Sequence, residues 1–326
     1  MDEQVIEKLT LEDAADRLGS LREQLSKVIH GQRAVLDQLC VALLCGGHAL
    51  LEGSPGTAKT LTVRALAMAM DCRMKRIQFT PDLMPSDIVG TNTYNLHTQT
   101  FELRPGPIFT DLLLADEINR APAKTQAALL EAMSERHATI DGERELLSPV
   151  FTVFATQNPI EFEGTYPLPE AQQDRFLLKI PVPYPDVDAE RDMLQAVHRG
   201  EAPERLEARG IEPVMTVAEL QAMQRQLVDV QVEPGVMDYL LTLCRATREH
   251  DLLLMGASPR AAIHLLQASK ASALLSGRDY VIPDDVVKMF TPVIGHRLVL
   301  SAEAEVSGED AGSVQEQILD QTDVPR

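Results

Sequence analysis

An apolar run, His48-Ala-Leu-Leu-Glu52, leads into Gly53-Ser-Pro-Gly-Thr-Ala-Lys-Thr60 and then into a stretch rich in Ala, Leu and Met. The eight-residue string nearly matches the phosphate-loop pattern G-x-x-x-x-G-K-[ST]. Phosphate needs backbone N–H donors that approach closely, hence small residues, at the positive end of a helix. Gly53, Ser54, Pro55, Gly56, Thr57, Ala58, Lys59, Thr60 and Leu61 are therefore candidate nucleotide-binding residues. Lys59 would reach the β- and γ-phosphates, and the Thr60 hydroxyl would ligate Mg²⁺. Ala58 stands where the pattern has its second glycine; the position is expected to lie already in the helix, where Ala is favoured.

Leu112-Leu-Leu-Ala-Asp116-Glu117 is an apolar strand ending in two carboxylates. Asp116 would hold Mg²⁺ through water, and Glu117 would polarise an attacking water. Phe151-Thr-Val-Phe-Ala-Thr-Gln-Asn158 is a further strand ending in an amide. Asn158 would orient that water beside the two acids; its plainer reading is a turn starter before Pro159.

The elements that must position these groups are legible in the hydrophobic pattern. Residues 1–30 form a helical entry, with Leu18, Leu21, Leu25, Val28 and Ile29 at three- and four-residue intervals, and Gln32–Leu44 is a second helix. Strands are expected at 48–52, 74–80, 112–116, 151–156 and 176–180, with a helix at 124–135, so the core is α/β with a parallel sheet. Thr93–Leu103 and Ala138–Leu146 read as hairpins, the second through its Asp141-Gly142 turn. Pro181-Val-Pro-Tyr-Pro185 can continue neither ladder nor helix, which places a boundary at 185. Beyond it, 189–198, 217–227, 234–249, 260–275 and 283–298 are helix-patterned.

The chain has 326 residues, 49 Asp+Glu against 30 Lys+Arg and no Trp. That balance argues against a nucleic-acid coat, a membrane-surface protein or a base-stacking platform. The acidic N-terminus has no signal-peptide core and no apolar run is long enough to span a bilayer, so a cytoplasmic protein is expected. Cys40, Cys45, Cys72 and Cys244 lack metal-ligand spacing and read as packed thiols. The last 26 residues hold seven acids and one Arg; they read as a solvated tail, or else Val314–Leu319 docks as a short helix.

In the order loop, acid pair, amide, arginine and helical lid, the chain resembles an AAA+ P-loop NTPase. Gly53–Thr60, Asp116-Glu-Ile-Asn-Arg-Ala-Pro122, Ala155-Thr-Gln-Asn-Pro159 and Leu168-Pro-Glu-Ala-Gln-Gln-Asp-Arg-Phe176 closely resemble the MoxR family, over about residues 20–300. The hairpins fall where MoxR and magnesium-chelatase-like ATPases carry a helix-2 insert and a pre-sensor insert. The resemblance implies a nucleotide-binding core over 1–185, a helical lid over 186–300 and an acidic tail over 301–326. It also implies that Arg175 is an arginine finger reaching the γ-phosphate of a neighbouring subunit, an effect worth about 10³–10⁵ in rate. A surface ion pair with Glu170 or Asp174 is the plainer reading of that residue. Arg260, in Gly256-Ala-Ser-Pro-Arg260, matches sensor 2, acting within its own subunit or the next; the plainer reading is an arginine held by a nearby acid. Ile29, His30 and Gly31 match the segment that packs on adenine, where backbone selects the base.

What the resemblance implies is Mg²⁺-dependent ATP hydrolysis in a homo-oligomeric ring, with a hexamer as the expected size. The work would be chaperone-like remodelling or maturation of protein complexes, metal-cofactor insertion among them, with a von Willebrand factor A domain partner. Neither nucleic acid nor direct membrane insertion is expected. Two rivals stand beside it: a nucleotide-gated scaffold with little turnover, and a nucleic-acid motor, which would need basic hairpin tips.

Overall fold

The computed structural model describes residues 9–158, 165–200 and 206–325. The start of the helical entry (residues 1–8), Pro159 and Arg326 lie outside the described residues.

Thr10 caps α1 (Leu11–Ser26) by accepting the Asp13 N–H at 3.0 Å, and Leu18, Leu21 and Leu25 of its apolar stripe are buried. After α2 (Arg33–Leu44), strand β1 (Ala49–Glu52) feeds the glycine-rich loop and α3 (Lys59–Ala69). Then come β2 (Met74–Gln78), the short α4 (Pro85–Val89), hairpin β3 (Gly90–Asn95) and β4 (Thr100–Pro105), and β5 (Leu112–Asp116). Helix α5 (Ala123–Glu135), hairpin β6 (His137–Ile140) and β7 (Glu143–Leu146), and β8 (Thr152–Gln157) follow. The core closes with α6 (Glu170–Gln173) and β9 (Leu178–Pro181).

The five core strands form one parallel sheet in the order β2-β5-β8-β1-β9. Residues Leu112–Asp116 of β5 and Thr152–Thr156 of β8 are all buried, as expected for strands covered on both faces. Edge strand β2 instead exposes Lys75 and Arg76, which protects its open side. Parallel register sets Ala155 beside both Leu50 and Ala115, so the loop after β1 and the acids after β5 emerge at the same carboxyl edge. At the opposite edge, buried His48 ties the layers together: its Nδ1 accepts the Val153 N–H at 3.0 Å and its Nε2–H donates to Met133 O at 3.1 Å. Burial pushes its pKa down to about 3, keeping the ring neutral.

The hairpin turn Asp141-Gly142 has positive φ at both residues, the geometry that matches strand twist. Asn92 Nδ2 donates to Asp141 Oδ2 at 2.9 Å and so couples the two hairpins.

The remaining elements are α7 (Val187–His198), α8 (Val217–Gln226), α9 (Pro234–Glu249), β10 (Leu253–Met255), α10 (Pro259–Leu275), α11 (Pro283–Ile294), β11 (Val299–Leu300), α12 (Ala302–Val306) and α13 (Ala311–Gln321). Lid and core share one apolar cluster, in which Leu39 and Leu43 of α2 join Leu265 of α10. Helix α11 ends its α-helical part at Ile294 and tightens to a 3-10 turn over Gly295–Arg297 rather than continuing as one helix to 298, as His296 and Arg297 turn inward and both donate to Phe176 O. Of the two readings of the last residues, docking holds for 311–321. Asp310 caps α13 by accepting the Ser313 N–H at 2.7 Å, and Val314 and Ile318 are buried on the side that meets α9 and α11.

All four cysteines are free, and burial pushes the Cys40 and Cys72 thiols up to about 12. No helix among the described residues is long and apolar enough to cross a membrane.

Candidate active site

The phosphate loop joins the end of β1 to α3, and its two glycines are required for different reasons, Gly53 by close contact and Gly56 by its positive φ. A Cβ on Gly53 would lie 2.5 Å from Val182 O, whereas Gly56 (φ +83°) has open space where a Cβ would stand. Ala58 does not lie in the helix as its residue type suggested. It is left-handed, with φ +62° and ψ +16°, and stands just outside α3. The chain reverses there before entering α3, and that conformation costs an L-residue about 1–2 kcal/mol. Ala58→Gly should therefore stabilise the protein by about 1 kcal/mol and raise Tm by roughly 2 °C, after allowing for the freer unfolded chain. A lower Tm for that variant would show that the loop relaxes around Ala58.

Lys59 Nζ donates to Gly53 O and Ser54 O, both at 2.8 Å, which folds the ammonium over its own loop. Burial lowers its pKa, while the Asp116 and Glu117 charges oppose the shift. Thr57, Ala58 and Leu61 line a 140 Å³ cavity with Ile29, His30 and the α7 residues Met193, Leu194 and Val197. His30 Nε2 is buried there without a hydrogen-bond partner among the described residues. Gly31 serves the cavity indirectly: a Cβ on it would stand 2.8 Å from Ala189 Cβ, so glycine lets α7 approach. The helix bordering this cavity from beyond residue 185 is thus α7, not α10, which carries Arg260.

At the end of β5, Thr60 Oγ1 donates to Asp116 Oδ2 at 3.2 Å, bringing the two expected metal ligands together. Thr156 donates to Asp116 Oδ1 at 2.6 Å and accepts the Glu117 N–H at 2.9 Å, so one hydroxyl orients both acids. Arg76 Nη2 meets Asp116 Oδ2 at 2.6 Å. Glu117 is left-handed (φ +56°), and its Oε2 accepts from Gln78 Nε2 at 2.6 Å and faces Arg120 Nε at 3.2 Å. Asn158 is buried just past β8, and its neighbour Gln157 accepts the Gly53 N–H at 3.4 Å. Asn158 therefore follows the strand that lies between β1, which leads into the phosphate loop, and β5, which ends at the acid pair.

Sequence reasoning missed Thr156, Arg76, Gln78 and Arg120. A signal existed for two of them, since the period-2 alternation of Met74-Lys-Arg-Ile-Gln78 puts Arg76 and Gln78 on one face of β2. Thr156 carried none, because a Thr near the end of an apolar strand has no distinguishing neighbour.

Arg175 and Arg260 lie elsewhere. Both line a 270 Å³ cavity with Arg136, His264, Gly46 and Gly47, and among the described residues none lines both this cavity and the one at the phosphate loop. Arg175 Nη1 donates to Leu130 O at 2.6 Å and Ser134 Oγ at 2.8 Å, not to Glu170 or Asp174. Helix α5 runs back from the carboxyl edge of the sheet, so Leu130 sits roughly 10 Å along it from its start. Arg260 pairs with Asp174 Oδ2 at 3.3 Å, and Arg297 holds the other oxygen at 2.8 Å. His264 Nδ1 accepts from Arg297 Nη2 at 2.6 Å; burial, then the Arg297 charge, pushes its pKa down to about 4. Three guanidiniums facing one cavity can receive an anionic group.

The donor set fits a nucleotide triphosphate with its metal. A helix N-terminus and an orphaned buried histidine nitrogen are unmet valences around one loop, and Lys59, held by two loop carbonyls and the Thr57 hydroxyl, brings positive charge to it. Thr60 with Asp116 is the small oxygen set Mg²⁺ takes when phosphates complete its shell.

The family described as "ATPase family associated with various cellular activities (AAA)" matches residues 48–178, and the AAA lid domain matches residues 245–318. YeaC of Bacillus subtilis is 44% identical over 314 residues, covering 96% of this chain and 97% of its own. The chaperone MoxR1 of Mycobacterium tuberculosis is 43% identical over 298 residues, covering 88% and 77%. A crystal structure of a candidate ATPase from Cytophaga hutchinsonii superposes with a TM-score of 0.87 at 38% identity, covering 97% of this chain and 98% of that one. With the phosphate loop, the acid pair and the helical lid in place, the chain belongs to the MoxR family of AAA+ ATPases.

Proposed function

We propose that the chain hydrolyses Mg²⁺·ATP at a site completed by a neighbouring copy, and that the resulting movement remodels or matures a protein complex. The observation that carries this reading is the separation of cations. Lys59 stands at the phosphate loop, while Arg175 and Arg260 face a different cavity of the same chain. A guanidinium from the next subunit of a ring would then neutralise the γ-phosphate, and both arginines are poised to be given to the neighbour together.

In this reading Gly53 to Leu61 wrap the phosphates, and Ile29, His30 and α7 enclose the base. Thr60, and Asp116 through water, would hold Mg²⁺, which would supply positive charge to offset that of the phosphates. Glu117 accepts the proton of the attacking water, which Asn158 helps to orient. A site shared between subunits couples hydrolysis to their relative motion, since only the assembled geometry is complete. The ring is read as a hexamer, and a von Willebrand factor A domain protein as the partner that links it to its client, with metal-cofactor insertion among the tasks. The name of the Mycobacterium relative supports the chaperone-like part. The motor reading is weakened by the first hairpin, and in the second the exposed Arg144 lies between Glu143 and Glu145. Arg104 pairs with Thr91 at the base of its hairpin, and the far end carries Tyr94, Leu96 and Phe101, all exposed.

Lys59→Ala tests the nucleotide site. Losing the ammonium should weaken ATP binding about a hundredfold or more by calorimetry. ATP affinity within twofold of the parent would sink the assignment of this loop.

A further inference from the structure

Asp116 is a buried carboxylate, only 8% exposed, whose two oxygens have different company. Oδ1 is bound by Thr156 at 2.6 Å. Oδ2, the oxygen facing Thr60, receives Arg76 Nε at 3.1 Å and Nη2 at 2.6 Å as well as Thr60 Oγ1 at 3.2 Å. Arg76 is steadied by a 2.7 Å bond from Nη2 to Gln78 Oε1, while its side chain stays half exposed on the edge strand. Three donors crowd Oδ2, two of them from Arg76, while Oδ1 carries one, so a metal ion or its water that approaches from the Thr60 side meets the guanidinium first.

We propose that Arg76 controls entry to the metal site, its guanidinium competing with Mg²⁺ for Asp116 Oδ2. This rests on the reading above that Thr60 and Asp116 hold the metal. The guanidinium neutralises a carboxylate that would otherwise be buried and unpaired. A metal arriving alone must displace it in return for the Thr60 hydroxyl and a contact with Asp116 made through water. A metal arriving with nucleotide brings phosphate ligands too, so Arg76 biases the site toward the metal–nucleotide pair and against free metal. Solvent beside the exposed edge strand can receive the displaced side chain.

The test uses the full chain with Mn²⁺ as the metal, free Mn²⁺ being counted by electron paramagnetic resonance, with and without ADP. Arg76→Gln is expected to bind Mn²⁺ about tenfold more tightly in the presence of ADP, since one opposing positive charge is gone. It should also take up Mn²⁺ without nucleotide at concentrations where the parent takes up none. ADP affinity in EDTA should stay within about twofold, and Arg76→Lys, which keeps the charge but not the fork, should fall between parent and Arg76→Gln. Unchanged or weaker Mn²⁺ binding in both variants would overturn the proposal. So would a parallel loss of ADP affinity in EDTA, which would make Arg76 a phosphate ligand. If the parent binds ADP but Mn²⁺ adds nothing, the assignment of Thr60 and Asp116 fails; if it binds neither, the nucleotide site itself does.

Discussion

Arg175→Ala is expected to lower ATP turnover about 10³–10⁵-fold while leaving ATP affinity within a few-fold of the parent. The split follows from position. Arg175 is absent from the cavity of its own phosphate loop and is bound instead to Leu130 O and Ser134 Oγ. Removing it should therefore not disturb the ground-state binding of nucleotide to the same chain, only the charge supplied to the next one. Arg175→Lys should recover little, because an ammonium lacks the planar fork. Steady-state hydrolysis and equilibrium ATP binding, measured on the same preparation, separate the two effects. The sharper measurement mixes Arg175→Ala with Glu117→Gln. Each is inactive alone, but an Arg175→Ala subunit next to a Glu117→Gln subunit has its own Glu117 and receives a neighbour's arginine. Absence of recovery in mixed rings, or normal turnover by Arg175→Ala, would refute a finger acting between subunits.

Glu117→Gln should bind ATP as the parent does and hydrolyse it about 10²–10⁴-fold more slowly, the range expected when a general base is lost. The replacement is nearly isosteric. The Thr156 hydroxyl still accepts the backbone N–H at 117, so the left-handed conformation at φ +56° has its support intact. The contact with Arg120 is a partly exposed ion pair, and its loss should change stability little. A Tm within a degree or two of the parent, with single-turnover hydrolysis nearly abolished, would tie the defect to chemistry. Retained turnover would mean another group accepts the proton.

Much of the core was open to reading from sequence, for reasons that differ along the chain. Strands β1, β5 and β8 are short apolar runs bounded by turn residues, and β5 was delimited at Leu112–Asp116 to the residue. The hairpins announced themselves through alternation and Asp141-Gly142. Helix α11 was overextended, because the pull on His296 and Arg297 comes from Phe176, more than a hundred positions earlier. Acidity made 301–326 look solvated, yet Val314 and Ile318 find a surface that exists only once α9 and α11 are packed. Ala58 was misplaced for a related reason. Residue type says Ala favours helix, but the chain reverses at that point between β1 and α3, and the geometry of that connection outweighs a propensity worth less than about 1 kcal/mol.

The linear chain was enough to specify the kinds of groups present and their local order: a phosphate loop between strand and helix, two acids after an apolar strand, an amide, and two late arginines. Those features depend on neighbours a few residues away, whose geometry the backbone imposes wherever the segment sits. Folding decided which of them meet. Parallel register brought Thr60, Asp116 and Thr156 to one edge, while the packing of α5 and α10 turned Arg175 and Arg260 toward a different cavity. Such pairings depend on the placement of whole layers, and layers are positioned by burial summed over many residues rather than by any local motif. Charge at a site is therefore a property of the fold, and in this chain the fold divides the cations between two faces.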